Sequence, residues 1–205
     1  ITTDAVLSSE HLDSALRAST RVTFDRLDSD GCMSTNDQVT LMASGASACS
    51  PSQEDFTVAL TQVCISLATQ LQQDAEGSSH DITITVQGAA SETDAEEVGR
   101  SVARNNLFKA AIYGNDPNWG RIVMAIGKAG VPNLDSSKVQ VWLGEVQICL
   151  DGGANPDYTE AAGAAVMAEK EITIRIDLGR GTAKDTVYTC DFSYDYVKIN
   201  ADYRS

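Results

Sequence analysis

The segment Asp74-Ala75-Glu76-Gly77 places two carboxylates where a long helical pattern ends. The helix macrodipole opposes negative charge at a C-terminus, so these carboxylates need solvent or a cation nearby. One interpretation is a frayed, solvated helix end. The other is chemical, because Glu76 would then receive the ammonium group of a substrate.

The last eight residues, Lys198–Ser205, have no apolar period, but they follow Tyr194 and Tyr196. Chain ends are generally disordered unless specific contacts hold them, and aromatic side chains provide such contacts. A tail held in this way would let Asn200 and Ser205 donate hydrogen bonds to a bound carboxylate. A solvated tail is the other interpretation of the same residues.

The segment Asn115–Arg121 combines turn formers with an indole and a guanidinium group. Pro117 removes a backbone donor, and Asn and Gly favour turns, so we expect a rigid, irregular loop rather than a helix or a strand. Loops with this hydrogen-bonding capacity often position a ligand or a partner. A tight connector around a buried Trp119 fits the same residues.

Histidine and metal chemistry have little support in the sequence. His11 lies in a capped helical pattern and His80 in a loop, and neither has a Cys or His at ligand spacing. We expect both at the surface, while a Ser-His-Asp triad assembled by the fold stays open. Residues 28–31 read Asp-Ser-Asp-Gly, as in a calcium loop. Arg26 would occupy the first ligand position, however, which favours a polar turn.

Composition narrows the class of protein. The 205 residues carry a formal net charge of −14, which argues against non-specific binding to nucleic acid or to an anionic membrane. There is no apolar run long enough to span a bilayer. The five cysteines are odd in number and scattered, so we expect reduced thiols in a reducing compartment rather than disulfides or a zinc site.

Helical patterns dominate the first part of the chain. Ser8-Ser9-Glu10 opens a capped helical pattern that runs to about Phe24, and Pro51 opens a longer one that reaches about Gln73. Residues 39–43 form a short, mostly apolar run of ambiguous type. Apolar residues recur at helical spacing in the longer pattern: Phe56, Leu60, Val63, Cys64, Leu67 and Leu71.

Strand and helix patterns mix after a break at Gly77-Ser78-Ser79. Helices are predicted over 93–109, with a Thr93–Glu96 capping box, and over 160–169. Gly144 and the turn 179–181 are expected to close two hairpins. Alternating apolar residues predict strands over 82–86, 139–143, 146–150, 172–178 and 187–191. We therefore expect an α+β fold, with a first domain over 1–78 and a second over 79–205.

Several motifs in this order resemble the β subunit of ornithine acetyltransferase (glutamate N-acetyltransferase) of arginine biosynthesis. Each motif is weak alone, but together they span essentially the whole chain in a specific order. The matching stretches are Thr2–Ala5, Thr23–Leu27, Ser34–Asp37, Ser44–Ser47, Asp74–Gly77, Asn115–Arg121 and Tyr196–Ser205. The resemblance implies sheet layers flanked by helices, an αββα-type sandwich completed with a separate α chain. It also implies a smaller C-terminal α+β domain whose tail returns to the active site.

The resemblance also implies a mechanism. In this family a precursor cleaves itself before a threonine, and that new N-terminal threonine takes an acetyl group from N2-acetyl-L-ornithine. Glutamate then removes the acetyl group, which gives ping-pong kinetics, and an oxyanion hole from the α chain stabilises the tetrahedral intermediate. No cofactor is implied. Whether acetyl-CoA is an alternative acetyl donor, as an amino-acid N-acetyltransferase would require, stays open.

The resemblance assigns a substrate site to this chain. Glu76 matches the acidic residue that binds the substrate ammonium region, and Asn200 and Ser205 match the C-terminal residues that close on the substrate. The family's Met-Ala-Thr-Met-Leu segment does not occur in this sequence, and Thr2 and Thr3 match the strand that follows it. We therefore expect the nucleophilic threonine just upstream of Ile1, and no catalytic residue or metal site within the chain.

The partners carried over in the same way are an α chain from the same precursor, in an α2β2 heterotetramer, and the small molecules N-acetylornithine and glutamate. A cytoplasmic location is expected, without nucleic acid or membrane as a partner. The alternative function is a self-processing aminopeptidase-like hydrolase, in which water replaces glutamate as the acceptor. An acidic interaction module without a nucleophile is a third hypothesis.

Overall fold

The computed structural model describes residues 1–202, and the chain divides into two compact units. The first contains residues 1–27 and 32–71, and the second contains residues 28–31 and the chain from residue 72 onward. Four residues of the N-terminal part therefore belong to the second unit. The domain boundary expected between residues 78 and 79 stays a prediction.

The first unit joins two helices to a short parallel sheet. Its elements are β1 (Thr2–Thr3), α1 (Ser9–Arg21), a 3₁₀ turn (Phe24–Arg26), β2 (Met42–Ala43) and α2 (Gln53–Gln73). Both predicted helices are confirmed, and the Ser8 side chain caps α1 by accepting a hydrogen bond from His11 N. Thr2 pairs with Met42, so the two N-terminal threonines belong to a strand, as expected.

Helix α2 carries more large apolar side chains than the first unit buries. Leu60 and Cys64 lie in a small core with Ala15 of α1. Five other large apolar residues of α2 are 37–59% exposed: Val58, Val63, Ile65, Leu67 and Leu71. Half of the predicted apolar stripe is thus exposed in this chain.

The second unit is a mixed six-stranded sheet flanked by helices, which confirms the α+β class. Its elements are β3 (Asp81–Ala89), α3 (Glu92–Ala103), α4 (Asn106–Tyr113), α5 (Trp119–Gly127), a 3₁₀ turn (Ser136–Lys138), β4 (Gln140–Leu143), β5 (Val146–Leu150), β6 (Gly153–Ala154), α6 (Glu160–Met167), β7 (Glu171–Asp177), β8 (Ala183–Cys190) and α7 (Tyr194–Asp202). The sheet order is β6-β5-β4-β7-β3-β8, with β3 and β7 parallel at its centre. Alternate residues of these two strands, such as Ile84 and Ile174, are fully buried in the core.

The second predicted hairpin is wrong, because β7 and β8 do not pair. Strand β3 lies between them, and Ile84 pairs with Ile174 of β7 on one side and Val187 of β8 on the other. A backbone N–H of the turn 179–181 donates to Gly88 O at 2.7 Å, so the connection passes the end of β3. The hairpin between β4 and β5 is confirmed.

The helix predicted over 93–109 is two helices. Ser91, not Thr93, caps α3 by accepting a hydrogen bond at 3.1 Å from the N–H three residues on, so the predicted capping box is wrong. The Asn105 side chain accepts from Phe108 N at 3.0 Å and begins α4. An amide that caps a new helix competes with continuation of the old one.

The segment Asn115–Arg121 is irregular over its first four residues only. Asn118 caps α5 by accepting from Arg121 N at 3.0 Å, so the last three residues form a helical turn, contrary to the prediction. Arg121 Nη1 also donates to Leu107 O at 2.7 Å, which fixes α5 against α4. The segment is thus a hydrogen-bonded connection between two helices.

All five cysteines have free thiols in this structure. Cys32 and Cys49 are exposed, whereas Cys64, Cys149 and Cys190 are buried. Within residues 1–202, no helix has both the length and the apolar content needed to cross a membrane.

Candidate functional site

Two of the three predicted substrate-binding residues lie side by side. Asn200 Nδ2 on α7 donates to Glu76 Oε2 at 2.9 Å and to the Tyr196 carbonyl at 3.0 Å. Glu76 and Asn200 are both exposed, so solutes can reach the pair. Ser205, the third predicted residue, lies outside the described residues. The fold thus joins an acidic side chain and an amide that are 124 positions apart in the sequence.

The turn that carries Glu76 is fixed on both sides. Before it, the buried Gln72 side chain donates from Nε2 to the carbonyls of Ile82 and Thr189, each at 3.0 Å. After it, Gly77 has a φ of +65°, a left-handed conformation that glycine adopts without steric cost. The backbone around Glu76 is therefore defined by specific contacts rather than frayed.

The described part of the tail, to residue 202, lies in helix α7, and two aromatic side chains of that helix make contacts outside it. Tyr196 Oη donates to Asp30 Oδ2 at 3.1 Å, and the Tyr194 ring meets the Tyr113 ring edge-on at 5.6 Å. The sequence over 194–202 has no apolar period that would predict this helix, and none of its side chains is buried. The sequence signal that does is Ser193, whose hydroxyl accepts from Tyr196 N at 3.0 Å as a capping serine would.

His80 is buried, so its expected surface position is wrong, whereas His11 is exposed as expected. Asp191 Oδ2 lies 3.2 Å from His80 Nδ1, and Ser79 Oγ lies 2.9 Å from the same nitrogen. A nucleophilic triad needs the serine and the aspartate on opposite ring nitrogens. Ser79, His80 and Asp191 therefore form a structural cluster and not a Ser-His-Asp triad.

The cluster is organised around the Asp191 carboxylate. Oδ1 accepts from Ser79 N at 2.8 Å and from His80 N at 3.2 Å, while Oδ2 also accepts from the Ser79 hydroxyl. Burial alone raises the pKa of Asp191, but the hydrogen bonds from Ser79 and His80 outweigh it and keep that pKa below its ordinary value. This charged group ties the residues just beyond Glu76 to the end of β8.

Two arginine side chains bind the turn 28–31. Asp28 Oδ2 accepts from Arg100 Nη1 at 3.0 Å and from Arg104 Nε at 2.7 Å. Gly31 N donates to Asp28 Oδ1 at 3.1 Å. Within residues 1–202, no group of three or more His, Cys, Asp or Glu is arranged to hold a metal ion. The carboxylate that a calcium loop would use is thus engaged by two guanidinium groups.

A cavity of about 180 Å³ is bounded by the turn 28–31, α4 and α7. Lys109, only 3% exposed, forms part of its wall and donates to the Ser29 carbonyl and to Thr189 Oγ1. Burial lowers the pKa of Lys109, although Cys190 and nearby aspartates raise it in part. Because protein acceptors bind its ammonium group, we interpret Lys109 as a support for the turn.

The first unit has a shallow depression of about 600 Å³ along the β1–β2 pair. Residues 2–4 and 42–44 line it, including Thr2 and Thr3. The Thr3 hydroxyl accepts from Ala5 N at 3.2 Å. Its hydrogen bond is thus local to the strand end, and the expectation that neither threonine is the nucleophile stays a prediction.

Several known proteins are similar to this chain. Residues 1–205 match the ArgJ family. The arginine biosynthesis bifunctional protein ArgJ of Streptomyces avermitilis is 51% identical over 205 residues, which cover 100% of this chain and 52% of that protein. The protein of the same name from Bifidobacterium longum is 49% identical over 208 residues, with the same two coverages. The chain thus spans about half the length of the curated relatives it matches.

A solved structure agrees with the fold. The crystal structure of the arginine biosynthesis bifunctional protein from Bacillus halodurans superposes with a TM-score of 0.93 at 35% sequence identity. The match covers 99% of this chain and 98% of that chain. From the match over the whole sequence and the shared fold, we conclude that the chain belongs to the ArgJ family.

Proposed function

We propose that this chain is the β chain of an acetyltransferase that moves an acetyl group from N2-acetyl-L-ornithine to L-glutamate in the cyclic arginine-biosynthesis pathway. Its relatives are named as arginine biosynthesis proteins, which supports the pathway. The observation that carries the proposal is the 2.9 Å hydrogen bond between Asn200 and Glu76. It joins two residues that the resemblance assigned to one substrate site.

This pair suits an amino-acid substrate. A carboxylate accepts hydrogen bonds from an ammonium group, and an amide N–H donates to a carboxylate. N2-acetylornithine carries a δ-ammonium group and an α-carboxylate, and glutamate carries an amine and two carboxylates. Glu76 would bind the ammonium group, and Asn200 would exchange its hydrogen bond to Glu76 for one to the substrate carboxylate, leaving the acetyl-bearing atom facing the nucleophile.

The acetyl group would be carried by a threonine outside the 205 residues of this chain. Its hydroxyl attacks the acetyl carbonyl while its proton passes to the N-terminal amine, and the C–N bond to ornithine breaks as the leaving nitrogen is protonated. The amine of glutamate then attacks the acetyl ester and restores the hydroxyl. An oxyanion hole from the α chain would stabilise both tetrahedral intermediates.

An α chain from the same precursor is the proposed partner, in an α2β2 heterotetramer. Val63, Leu67 and Leu71 of α2 are exposed at spacings of four residues, and this apolar stripe supports a partner, because contiguous apolar surface usually marks an interaction site. The two-stranded β1–β2 sheet supports it too, since a pair of strands is marginal by itself. The curated relatives are about twice as long as the solved chain, which is what division of one polypeptide would produce in those proteins.

The test is isotopic transfer by enzyme purified after expression of the full-length precursor. With N2-acetylornithine labelled in the acetyl group, and no glutamate, we expect one labelled acetyl group per β chain on its N-terminal peptide, measured by mass spectrometry. Adding glutamate should discharge the label as N-acetylglutamate.

Other outcomes would contradict the proposal in specific ways. Labelled acetate, formed at the same rate with and without glutamate, would indicate the aminopeptidase-like hydrolase instead. Labelled N-acetylglutamate without a protein adduct would contradict the acetyl-threonine step. Repeating the loading step with labelled acetyl-CoA decides whether the enzyme also has the second, amino-acid N-acetyltransferase activity.

A further inference from the structure

Helix α7 carries Asn200 but has little hydrophobic support. Among residues 194–202 no side chain is buried, and Tyr194, Val197 and Ile199 are 80%, 50% and 43% exposed. A nine-residue helix is too short to be stable by itself in water. Specific polar contacts must therefore set where this helix lies, and with it the position of the Asn200 amide.

One such contact is the Ser193 hydroxyl, which is buried at 4% exposure. It donates to the Gly77 carbonyl at 2.5 Å and accepts from Tyr196 N at 3.0 Å. The Ser193 Oγ atom thus joins the carbonyl of Gly77, the residue after Glu76, to the first turn of α7. These two hydrogen bonds fix the position of the start of the helix relative to the turn that carries Glu76.

Gly77 makes the same junction tight. A Cβ built on Gly77 would lie 2.5 Å from Tyr196 N and 2.8 Å from the Asp195 carbonyl carbon. Both are backbone atoms, so a side chain at this position could be accommodated only by moving α7. The backbone of α7 therefore packs directly on the backbone beside Glu76.

Tyr196 connects this junction to Asn200. Positions i and i+4 lie on the same helix face, and Asn200 Nδ2 donates to the Tyr196 carbonyl as well as to Glu76. On the same face, Tyr196 Oη donates to Asp30 Oδ2 at 3.1 Å. Rotation of α7 about its axis would break the Asp30 contact and carry Asn200 away from Glu76.

We infer that Ser193 and Gly77 are positioning residues of the substrate site, and that the Tyr196–Asp30 hydrogen bond fixes the rotation of α7 over it. The inference rests on the proposed function, because it requires Glu76 and Asn200 to bind substrate. A shift of one residue along a helix turns it by about 100° and moves it about 1.5 Å. That displacement is enough to remove a 2.9 Å hydrogen bond.

Steady-state kinetics of the assembled enzyme with N2-acetylornithine and glutamate test the inference. Ser193→Ala removes both hydrogen bonds of the hydroxyl, and we expect KM for N2-acetylornithine to rise about tenfold with kcat within about twofold. Ser193→Thr keeps a hydroxyl and should recover most of the affinity. Tyr196→Phe, which removes the hydroxyl that donates to Asp30, should raise KM about threefold. Tyr194→Phe, on the same helix, should leave KM unchanged.

The outcomes separate this inference from the proposed function. If Glu76→Ala raises KM while Ser193→Ala and Tyr196→Phe lower only the melting temperature, the positioning role is refuted and the site survives. If Glu76→Ala leaves KM unchanged, the site itself is wrong, and the inference fails with it. Should Ser193→Ala not fold, the comparison of Tyr196→Phe with Tyr194→Phe decides, because equal KM values in the two would overturn the inference.

Discussion

Replacing Asp191 by asparagine measures how strongly its carboxylate supports the segment beside Glu76. The Asp191 side chain is 0% exposed and accepts hydrogen bonds from both Ser79 and His80. Asparagine keeps the size and one acceptor oxygen, which can retain the two backbone N–H bonds. Its NH₂ group would take the place of Oδ2, facing the Ser79 hydroxyl and His80 Nδ1. The negative charge of the carboxylate would be lost at that position. A hydrogen bond to a charged group contributes about 1.5–3 kcal/mol, so we expect the free energy of unfolding to fall by about 3 kcal/mol at pH 7.

The size of this effect should depend on pH in a defined direction. The folded-state pKa of Asp191 lies below its ordinary value, so the unfolded chain takes up the proton first as the pH falls. The stabilisation is therefore complete well above the unfolded-state pKa of about 3.9, and it is lost as the pH falls through the lower folded-state pKa. We expect a constant deficit for the variant between pH 7 and about pH 5, and a shrinking one below about pH 4.

Urea unfolding of the assembled enzyme, followed by circular dichroism at these pH values, measures the deficit. Asp13→Asn is the matched control, because the Asp13–Arg17 ion pair is also within hydrogen-bond distance, at 2.9 Å, but its side chains are 63% and 78% exposed. Exposed pairs contribute little, so this change should cost less than about 0.5 kcal/mol. An Asp191→Asn variant as stable as the wild type at pH 7, or a deficit that grows below pH 4, would refute the reasoning.

Two further predictions concern helix ends and packing. Because Ser91 is the cap of α3, Ser91→Ala should lower the free energy of unfolding by about 1 kcal/mol, and Thr93→Ala by less than half of that. Urea unfolding measures both values. Equal losses would support the Thr93–Glu96 capping box instead. Gly163→Ala should destabilise the enzyme by about 1–3 kcal/mol, since its Cβ would lie 2.9 Å from Pro117 Cγ, whereas Gly127→Ala, with open space around it, should be neutral or slightly stabilising in a thermal melt. If Gly163→Ala proved as well tolerated as Gly127→Ala, the close approach of α6 to Pro117 would be refuted.

Local signals in the sequence were sufficient for the elements whose limits are set by nearby residues. Ser8 accepts from His11 N and begins α1, and both atoms belong to one short stretch of sequence. Alternation at Ile82, Ile84 and Val86 predicted β3 because a half-buried strand has a period of two. In both cases the signal itself lies within a few residues, although the strands that β3 pairs with are distant in the sequence.

Two of the errors arose where distant residues decide the structure. His80 is buried because the Asp191 carboxylate, 111 positions away, binds its backbone and its ring. Strand β8 joins β3 rather than β7, a choice between two partners that alternation at Val187 does not distinguish. The Glu76–Asn200 pair came from family resemblance, since neither position has a local signal that would bring the two together. Ser193 has a local signal, as a capping serine, but the residues after it lack the apolar period by which a helix is otherwise recognised, and none of them is buried.

The most direct test of the account is a crystal structure of the α/β enzyme with ornithine bound. We predict an amino group of ornithine within hydrogen-bond distance of the Glu76 carboxylate, with the Asn200 amide contacting the ligand or remaining beside Glu76. Ornithine bound elsewhere, with Glu76 and Asn200 still paired and facing only solvent, would contradict the central claim that this pair forms the substrate site.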